Sequence, residues 1–271
     1  VGGTLPELYE EDGMIEVATS DVANGGFVVG AGLKGIRPIY VVRYQGFQWY
    51  NAPIIVNYAC KSKEIWNISC PIFIRSIAME GAIGPVAGSS HHSLFQRMPG
   101  SKIISPMTPK EYEYAYKEFM KDDDVYYISE HRRSYDNTKE LRNIVVEDAD
   151  FTLFPISITR FDSEKARIIL EAQGYKINII HQLWIKPFYF KKDWNEALNR
   201  SKFGGMVLDD DYEEGVASSI AHTMMLSSNK KVHTLGLDHR TAGFHPEVDN
   251  LPPTPEAIAE KVKSIIENKV N

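Results

Sequence analysis

Several clusters in this 271-residue sequence combine side-chain types that do chemistry. The adjacent pair His91 and His92 lies in the run Gly88-Ser89-Ser90-His91-His92-Ser93, where imidazoles can move protons or bond an anion near neutral pH. Adjacent histidines lack the i,i+4 spacing of a helical zinc pair and no third ligand is evident, which argues against zinc. Glu130-His131-Arg132-Arg133 offers Arg132 and Arg133 to an anionic substrate group, and reads equally well as a solvated or interface cluster. The runs Asp122-Asp123-Asp124 and Asp209-Asp210-Asp211 invite a cation, but both sit at element ends, where charge runs are usually solvated, so no metal is assigned. Finally, Gly30-Ala31-Gly32-Leu33-Lys34-Gly35 satisfies the dinucleotide pattern G-x-G-x-x-G after the apolar run Phe27-Val28-Val29.

The elements around that last motif decide its meaning. In a dinucleotide site the third glycine lies inside a helix whose N-terminus holds a pyrophosphate. Here Arg37-Pro38 follows at once, and proline clashes with the preceding helical turn. The run Ile39-Tyr40-Val41-Val42 is β-branched and aromatic, and no acid stands about 20 residues on to hold a ribose. The pattern therefore predicts a helix over 24–34 with a small face (Gly26, Gly30, Ala31) and a stop at Gly35. A buried strand follows over 37–43, then a helix over 47–61 that must absorb Pro53 in its first turn or at a kink.

Along the rest of the chain, apolar runs and turn signals predict a short helix over 5–9 and strands over 14–18, 71–75, 102–105 and 125–129, the last closing the first sheet. A Gly/Ser/His-rich loop fills 77–100, and loops of that length are usually functional or disordered. Thr108 opens a helix with Glu111 completing a capping box. Residues 137–150 are polar and aperiodic, which places a linker near 145 and divides the chain into units 1–145 and 146–271. The second unit reads as strands over 152–158, 177–180, 205–208 and 232–237, with helices over 162–173, 194–199, 214–226 and 255–268. Strands alternating with helices indicate α/β domains with mainly parallel sheets. A formal net charge of -6 without a basic block argues against nucleic acid. Only Cys60 and Cys70 occur, without C-x-x-C, which fits a reducing, cytoplasmic setting. No apolar run approaches the roughly 18 residues of a membrane helix, and no signal-peptide pattern stands at the start.

Gly30-Ala31, Gly35-Ile36-Arg37-Pro38-Ile39, Phe47, Asn57, Ala59 and Lys61 fall without a gap on the pattern of the β subunit of thiamine diphosphate-dependent 2-oxo-acid dehydrogenases. The match continues through Gly84-Pro85-Val86-Ala87-Gly88-Ser89-Ser90-His91-His92-Ser93 and Met98-Pro99-Gly100-Ser101-Lys102-Ile103-Ile104-Ser105-Pro106. The chain thus resembles the pyruvate and branched-chain type of that subunit, within the wider transketolase group, over essentially its whole length. The resemblance implies a transketolase-like pyrimidine-binding domain followed by a transketolase C-terminal domain. Family β subunits carry a further helix and strand before the region matching Gly2-Gly3-Thr4-Leu5, so a trimmed, processed or renumbered start is implied.

The resemblance also assigns roles. In the family a glutamate bonds the cofactor's pyrimidine nitrogen and drives the tautomer change that lets the cofactor's own amino group deprotonate its thiazolium carbon. The matching position is Asp21, one methylene shorter, where a misplacement of about 1 Å can cost roughly 10²-fold in rate. Read from local pattern alone, Asp21 is a helix N-cap, and Glu16 is the fallback acid if the alignment shifts. Phe47 matches the aromatic that packs on the pyrimidine, with Tyr44 and Tyr50 as weaker neighbours. His92 matches the dehydrogenase active-site histidine, and His91 suits the synthase-like spacing. The segment from His92 to Pro99 is shorter than in typical dehydrogenase β subunits, which leaves substrate and lipoyl-carrier contact open.

The sequence has no Gly-Asp-Gly with a downstream Asn, the family's diphosphate and magnesium signature. The resemblance therefore implies an α-type partner that holds the diphosphate and Mg2+, in an α2β2 assembly with thiamine diphosphate at the interface. The implied activity is decarboxylation of a 2-oxo acid and transfer of the acyl or aldehyde unit. The alternatives are the C-terminal half of a split transketolase or deoxyxylulose-phosphate-synthase-like enzyme acting on sugar phosphates, and a non-catalytic scaffold or regulatory subunit.

Overall fold

The computed structural model describes residues 9–79, 88–241, 243–245, 247 and 249–270. The short helix expected over 5–9 and the Gly84 to Ala87 part of the His-loop motif lie outside them.

The first half alternates as its apolar periodicity requires: α1 (Asp21–Leu33), β1 (Ile39–Val42), α2 (Gln48–Ile54), α3 (Ser62–Trp66), β2 (Ile72–Ala78), α4 (Ser93–Gln96), β3 (Ser101–Ile104), α5 (Pro109–Phe119) and β4 (Val125–His131). The second continues with β5 (Phe151–Pro155), α6 (Thr159–Ala172), β6 (Ile177–Ile179), β7 (Trp184–Lys186), α7 (Lys192–Arg200), β8 (Gly205–Tyr212), α8 (Val216–Ser227), β9 (Val232–Leu237) and α9 (Pro255–Val270). One sheet has the order β1-β2-β4-β3-β7 and the other β6-β5-β8-β9. All pairs are parallel except β3 with β7. The nearly continuous burial of β2, β4, β5 and β8 is that of strands covered on both faces of a parallel sheet.

Several expectations change. Residues 14–18 form no strand: they run exposed along the surface, held by Asn24 Nδ2 donating to the Ala18 carbonyl at 2.9 Å. Helix α1 starts three residues earlier than expected, with Asp21 as its first residue after Ser20. Strand β4 lies inside its sheet between β2 and β3, and the edge beyond β3 is β7 from the second half, paired Ile103 to Lys186 and Ile104 to Trp184. A three-residue edge strand carries too little periodicity to announce itself in sequence. The expected 47–61 helix is a 3-10 turn (Gln45–Phe47), then α2 containing Pro53, then a π turn (Ile55–Ala59). Proline's missing N–H is absorbed by this change of helical type.

The glycines of α1 act in packing, as predicted, but different ones. A Cβ on Gly32 would stand 2.7 Å from Cys70 Sγ, and one on Gly25 would stand 2.9 Å from Asn51 Cβ. Gly26 and Gly30 face open space. Gly35 ends the helix at φ +85°, the left-handed conformation glycine adopts freely.

One apolar core crosses between the halves: Phe95, Ile103 and Tyr127 share a cluster with Phe154, Ile180, Ile185 and Ile220. Glu111 does not close a box on Thr108. It accepts from the Met107 N–H at 2.9 Å and pairs with the buried Arg160 guanidinium of α6 at 2.8 and 2.6 Å.

Candidate active site

Two links tie the elements of the site: Asp21 at the start of α1 acts on Tyr40, which Asn51 of α2 bonds, and the segment after β2 bonds Gln45 and Trp49 at the entry to α2. Asp21 opens α1 and is half-buried, and among the described residues no donor bonds its side chain. An acid at this point also meets the positive end of the helix dipole. Its electrostatic neighbour is Tyr40 on β1, whose phenol is pushed up first by burial and further by Asp21, against a bond from Asn51. Asn51 Nδ2 donates to the Tyr40 hydroxyl at 3.1 Å, while buried Asn51 Oδ1 has no partner.

One turn earlier, Tyr44, Phe47 and Tyr50 form an aromatic row, with ring centroids 6.1 Å apart for Tyr44–Phe47 and 6.5 Å for Phe47–Tyr50. Phe47 is half-buried and leans on the core that holds Val42 and Ala52. The row is presented by the Gln45–Phe47 turn, and Gln45 is what anchors that turn. Its Nε2 donates to Ser129 Oγ at 2.8 Å and to the Ser76 carbonyl at 3.1 Å, tying it to β2 and β4. Its Oε1 accepts the backbone N–H of His91 at 2.7 Å, which brings the histidine segment to the aromatic row.

The two histidines have opposite fates. His91 is half-buried against Trp49: Trp49 Nε1 donates to its Nδ1 at 3.4 Å, with the rings edge-on at 6.3 Å. With Nδ1 accepting, Nε2 carries the proton and points to Ser89 Oγ, also at 3.4 Å. Burial lowers the His91 pKa, Asp211 opposes that shift, and the His92 cation adds to it. His91 is thus a neutral imidazole at physiological pH.

His92 is fully buried. Both its nitrogens are spent inside, Nδ1 on Ser129 Oγ at 3.0 Å and Nε2 on Asp209 Oδ2 at 2.8 Å. Burial alone would lower its pKa, but the Asp209 carboxylate outweighs this and raises it to about 9. The acidic run of β8 is likewise not solvated: Asp209, Asp210 and Asp211 are all buried at the junction of the halves. Burial, then the neighbouring Asp209, pushes the Asp210 carboxyl up to about 8. His92, Asp209 and Asp210 could offer three ligand atoms within 4.8 Å of one another, but the hydrogen bonds just described account for that convergence.

The Glu130 to Arg133 cluster divides in the same way. Glu130 is fully buried, accepting from Arg75 at 2.6 and 2.8 Å and from Tyr135 at 2.7 Å. Buried His131 is lowered to about 3 by desolvation and by Arg133. Arg133 reaches Asp162 of α6 at 3.4 Å, whereas Arg132 stays exposed against Met79 Sδ at 3.5 Å, beside the Met79–Gly88 bridge that starts the histidine segment. Asp122, Asp123 and Asp124 anchor Lys102, Arg37 and Lys63. Gln45, Trp49 and Asn51 carried no signal in the sequence beyond their place in a helical stretch. Their importance is a matter of tertiary contact.

Residues 6–138 match the family described as transketolase, pyrimidine binding domain. The 2-oxoisovalerate dehydrogenase subunit beta of Bacillus subtilis is 25% identical over 234 residues, covering 80% of this chain and 71% of that protein. The pyruvate dehydrogenase E1 component subunit beta of Acholeplasma laidlawii is 23% identical over 73% of this chain, and the chain spans 65% of that relative's length. For the acetoin:2,6-dichlorophenolindophenol oxidoreductase subunit beta of Cupriavidus necator the values are 25%, 68% and 60%. Among solved structures, a split-gene transketolase described as an inactive beta4 tetramer superposes with TM-score 0.67 at 17% identity, covering 92% of this chain and 82% of that one. A transketolase mutant from Pichia stipitis superposes with TM-score 0.69 at 17% identity, covering 92% and 37%. The match over 6–138 and the superposition of two α/β halves with mainly parallel sheets agree: the chain has a transketolase-like fold, and residues 6–138 are similar to the transketolase pyrimidine-binding domain.

Proposed function

We propose that this chain is the β-type subunit of a thiamine diphosphate-dependent enzyme that decarboxylates a 2-oxo acid and passes on the acyl or aldehyde unit, its site completed by an α-type subunit. What supports this reading is a half-buried acid that no donor bonds among the described residues, an aromatic row, and a neutral histidine bonded to Trp49 two residues from Phe47, within or beside the stretch similar to a pyrimidine-binding domain. These residues fit the pyrimidine end of the cofactor: among the described residues no donor bonds the Asp21 side chain, and buried Asn51 Oδ1 has no partner. When bound, thiamine diphosphate supplies the carbon nucleophile and electron sink for cleavage next to a carbonyl. Asp21 would hold a proton at a pyrimidine ring nitrogen, the acid–base role of the family glutamate. Phe47, flanked by Tyr44 and Tyr50, would pack on the ring and exclude water. His91, a neutral donor at Nε2, would bond a substrate carbonyl or carboxylate, and exposed Arg132 would take an anionic group. His92 supports His91 from inside rather than touching ligand.

The chain has no Gly-Asp-Gly signature, so the diphosphate and Mg2+ fall to the partner, in an α2β2 arrangement. The relatives' names support a dehydrogenase-type substrate. A split-transketolase reading draws support from the segment after His92, which is one short helix, Ser93–Gln96, before Met98. Release of CO2 from 2-oxo acids against cleavage of ketose phosphates separates the two, and a lipoyl carrier as acceptor is tested in the same assay. Cofactor binding tests the shared premise. Calorimetric titration of the co-expressed complex should show Phe47→Ala weakening thiamine diphosphate about tenfold to a hundredfold, since burying such a ring is worth about 1.5–3 kcal/mol. Unchanged affinity would remove Phe47 from the site.

A further inference from the structure

Four consecutive residues of the histidine segment are treated unequally by the second half of the chain. Ser90 Oγ donates to Asp210 Oδ2 at 2.8 Å, and the Ser90 N–H to the Asp210 carbonyl at 3.1 Å. His92 Nε2 meets Asp209 Oδ2 at 2.8 Å, and the Ser93 N–H donates to Asp211 Oδ2 at 3.0 Å. Ser93 Oγ in turn accepts the Val216 N–H at 3.0 Å, and a Cβ on Gly215 would collide with it. Each aspartate takes one loop residue. Of the four, His91 alone has its side chain turned to Trp49.

Three successive side chains of a regular strand cannot all meet one loop, because they alternate between faces. Strand β8 solves this by breaking register: its pairing with β9 slips between Leu208 and Tyr212, the span that holds the three acids. Irregularities of this kind re-aim side chains. The acids are also pre-oriented, with Asp209 Oδ1 accepting the Asp210 N–H at 2.8 Å and Asp211 Oδ1 accepting the Tyr212 N–H at 2.7 Å. A charge run spent on mere solvation would need none of this.

We infer that Asp209, Asp210 and Asp211 are positioning residues, a clamp through which the second half of the chain sets the place of His91 in a site built on the first. The inference rests on the reading of His91 given above. It makes docking of the two halves a condition of a competent site, although no atom of the clamp touches ligand.

The test uses the full chain with labelled histidine and tryptophan, as wild type, Asp209→Asn, Asp211→Asn and the milder Ser90→Ala. Histidine ring and Trp49 indole resonances are recorded at a temperature where each variant is folded by circular dichroism. The clamp predicts that the His91 and Trp49 resonances move in every variant, and that kcat of the complex falls about tenfold to a hundredfold with KM nearly unchanged, as expected for misplacement near 1 Å. A purely structural role predicts a lower melting temperature with His91 and Trp49 resonances in place, and that result overturns the inference. Ser90→Ala removes one hydroxyl, so it keeps the test alive should an aspartate variant fail to fold. If the resonances move while His91→Asn leaves turnover unchanged, the clamp stands and the catalytic reading of His91 fails.

Discussion

Raising the pH should unlock the junction between the halves, and His92 fixes the size of the effect. His92 is fully buried against Asp209, and its pKa is raised to about 9 from the ordinary 6.5. A group that holds its proton more tightly when folded contributes stability that is complete below pH 6.5 and lost as pH rises through about 9. At about 1.4 kcal/mol per tenfold in proton affinity, the contribution is about 3 kcal/mol. That agrees with the cost of breaking a buried ion pair, about 3–5 kcal/mol. Asp210, raised from 3.8 to about 8 by burial and Asp209, acts in the same direction but over a lower window, its contribution lost as pH rises from about 4 through about 8. His131, lowered to about 3 by burial and Arg133, acts oppositely and only below pH 6.5. Urea unfolding of the wild type and His92→Gln at pH 6.5 and 9.5 isolates the histidine. The wild type should lose about 3 kcal/mol more than the variant between the two pH values. Parallel losses would show that His92 is not held as a cation, and the electrostatic account of the junction would fail.

Two further outcomes follow from packing and pairing. Gly32→Ala should destabilise by about 1–3 kcal/mol in the same unfolding assay, because its Cβ would meet Cys70 Sγ at 2.7 Å in a filled core. Gly30→Ala on the same helix meets nothing and should be neutral or stabilising by up to about 1 kcal/mol. Equal effects would refute the assignment of the close approach to Gly32. Glu111→Gln leaves the buried Arg160 guanidinium without its charge partner and should cost about 3–5 kcal/mol, read as a lowered urea midpoint.

Much of the fold was legible because periodicity and punctuation agreed. The β-branched run at Ile39–Val42, Gly35 at a helix end and Thr108 at a helix start each state a local rule that the tertiary structure keeps. Residues 14–18 are mostly apolar, like a strand, but find no pairing partner among the described residues, so composition alone misled there. The edge strand β7 was invisible because its pairing with β3 is a long-range contact of only three residues. In the site, the histidine pair stood out by type, whereas Asp21 and Phe47 were marked only by the family resemblance. Which histidine faces outward did not, since that depends on Gln45 from one half and three aspartates from the other. The aspartates looked solvated because consecutive acids usually are. A register break in β8 turns them inward, and no local pattern marks it.

The most direct measurement is hydrogen–deuterium exchange at the thiazolium carbon of bound thiamine diphosphate, in the chain co-expressed with its α-type partner, as wild type, Asp21→Ala and Asp21→Glu. The account predicts fast exchange in the wild type that falls about a hundredfold or more in Asp21→Ala, since the acid's placement governs proton movement at the cofactor. Fast exchange indifferent to every change at Asp21 would contradict it and move the role to Glu16 or to a residue outside this segment. Slow exchange in the wild type, restored by Asp21→Glu, would contradict it differently, showing a cofactor pocket kept without its activating acid.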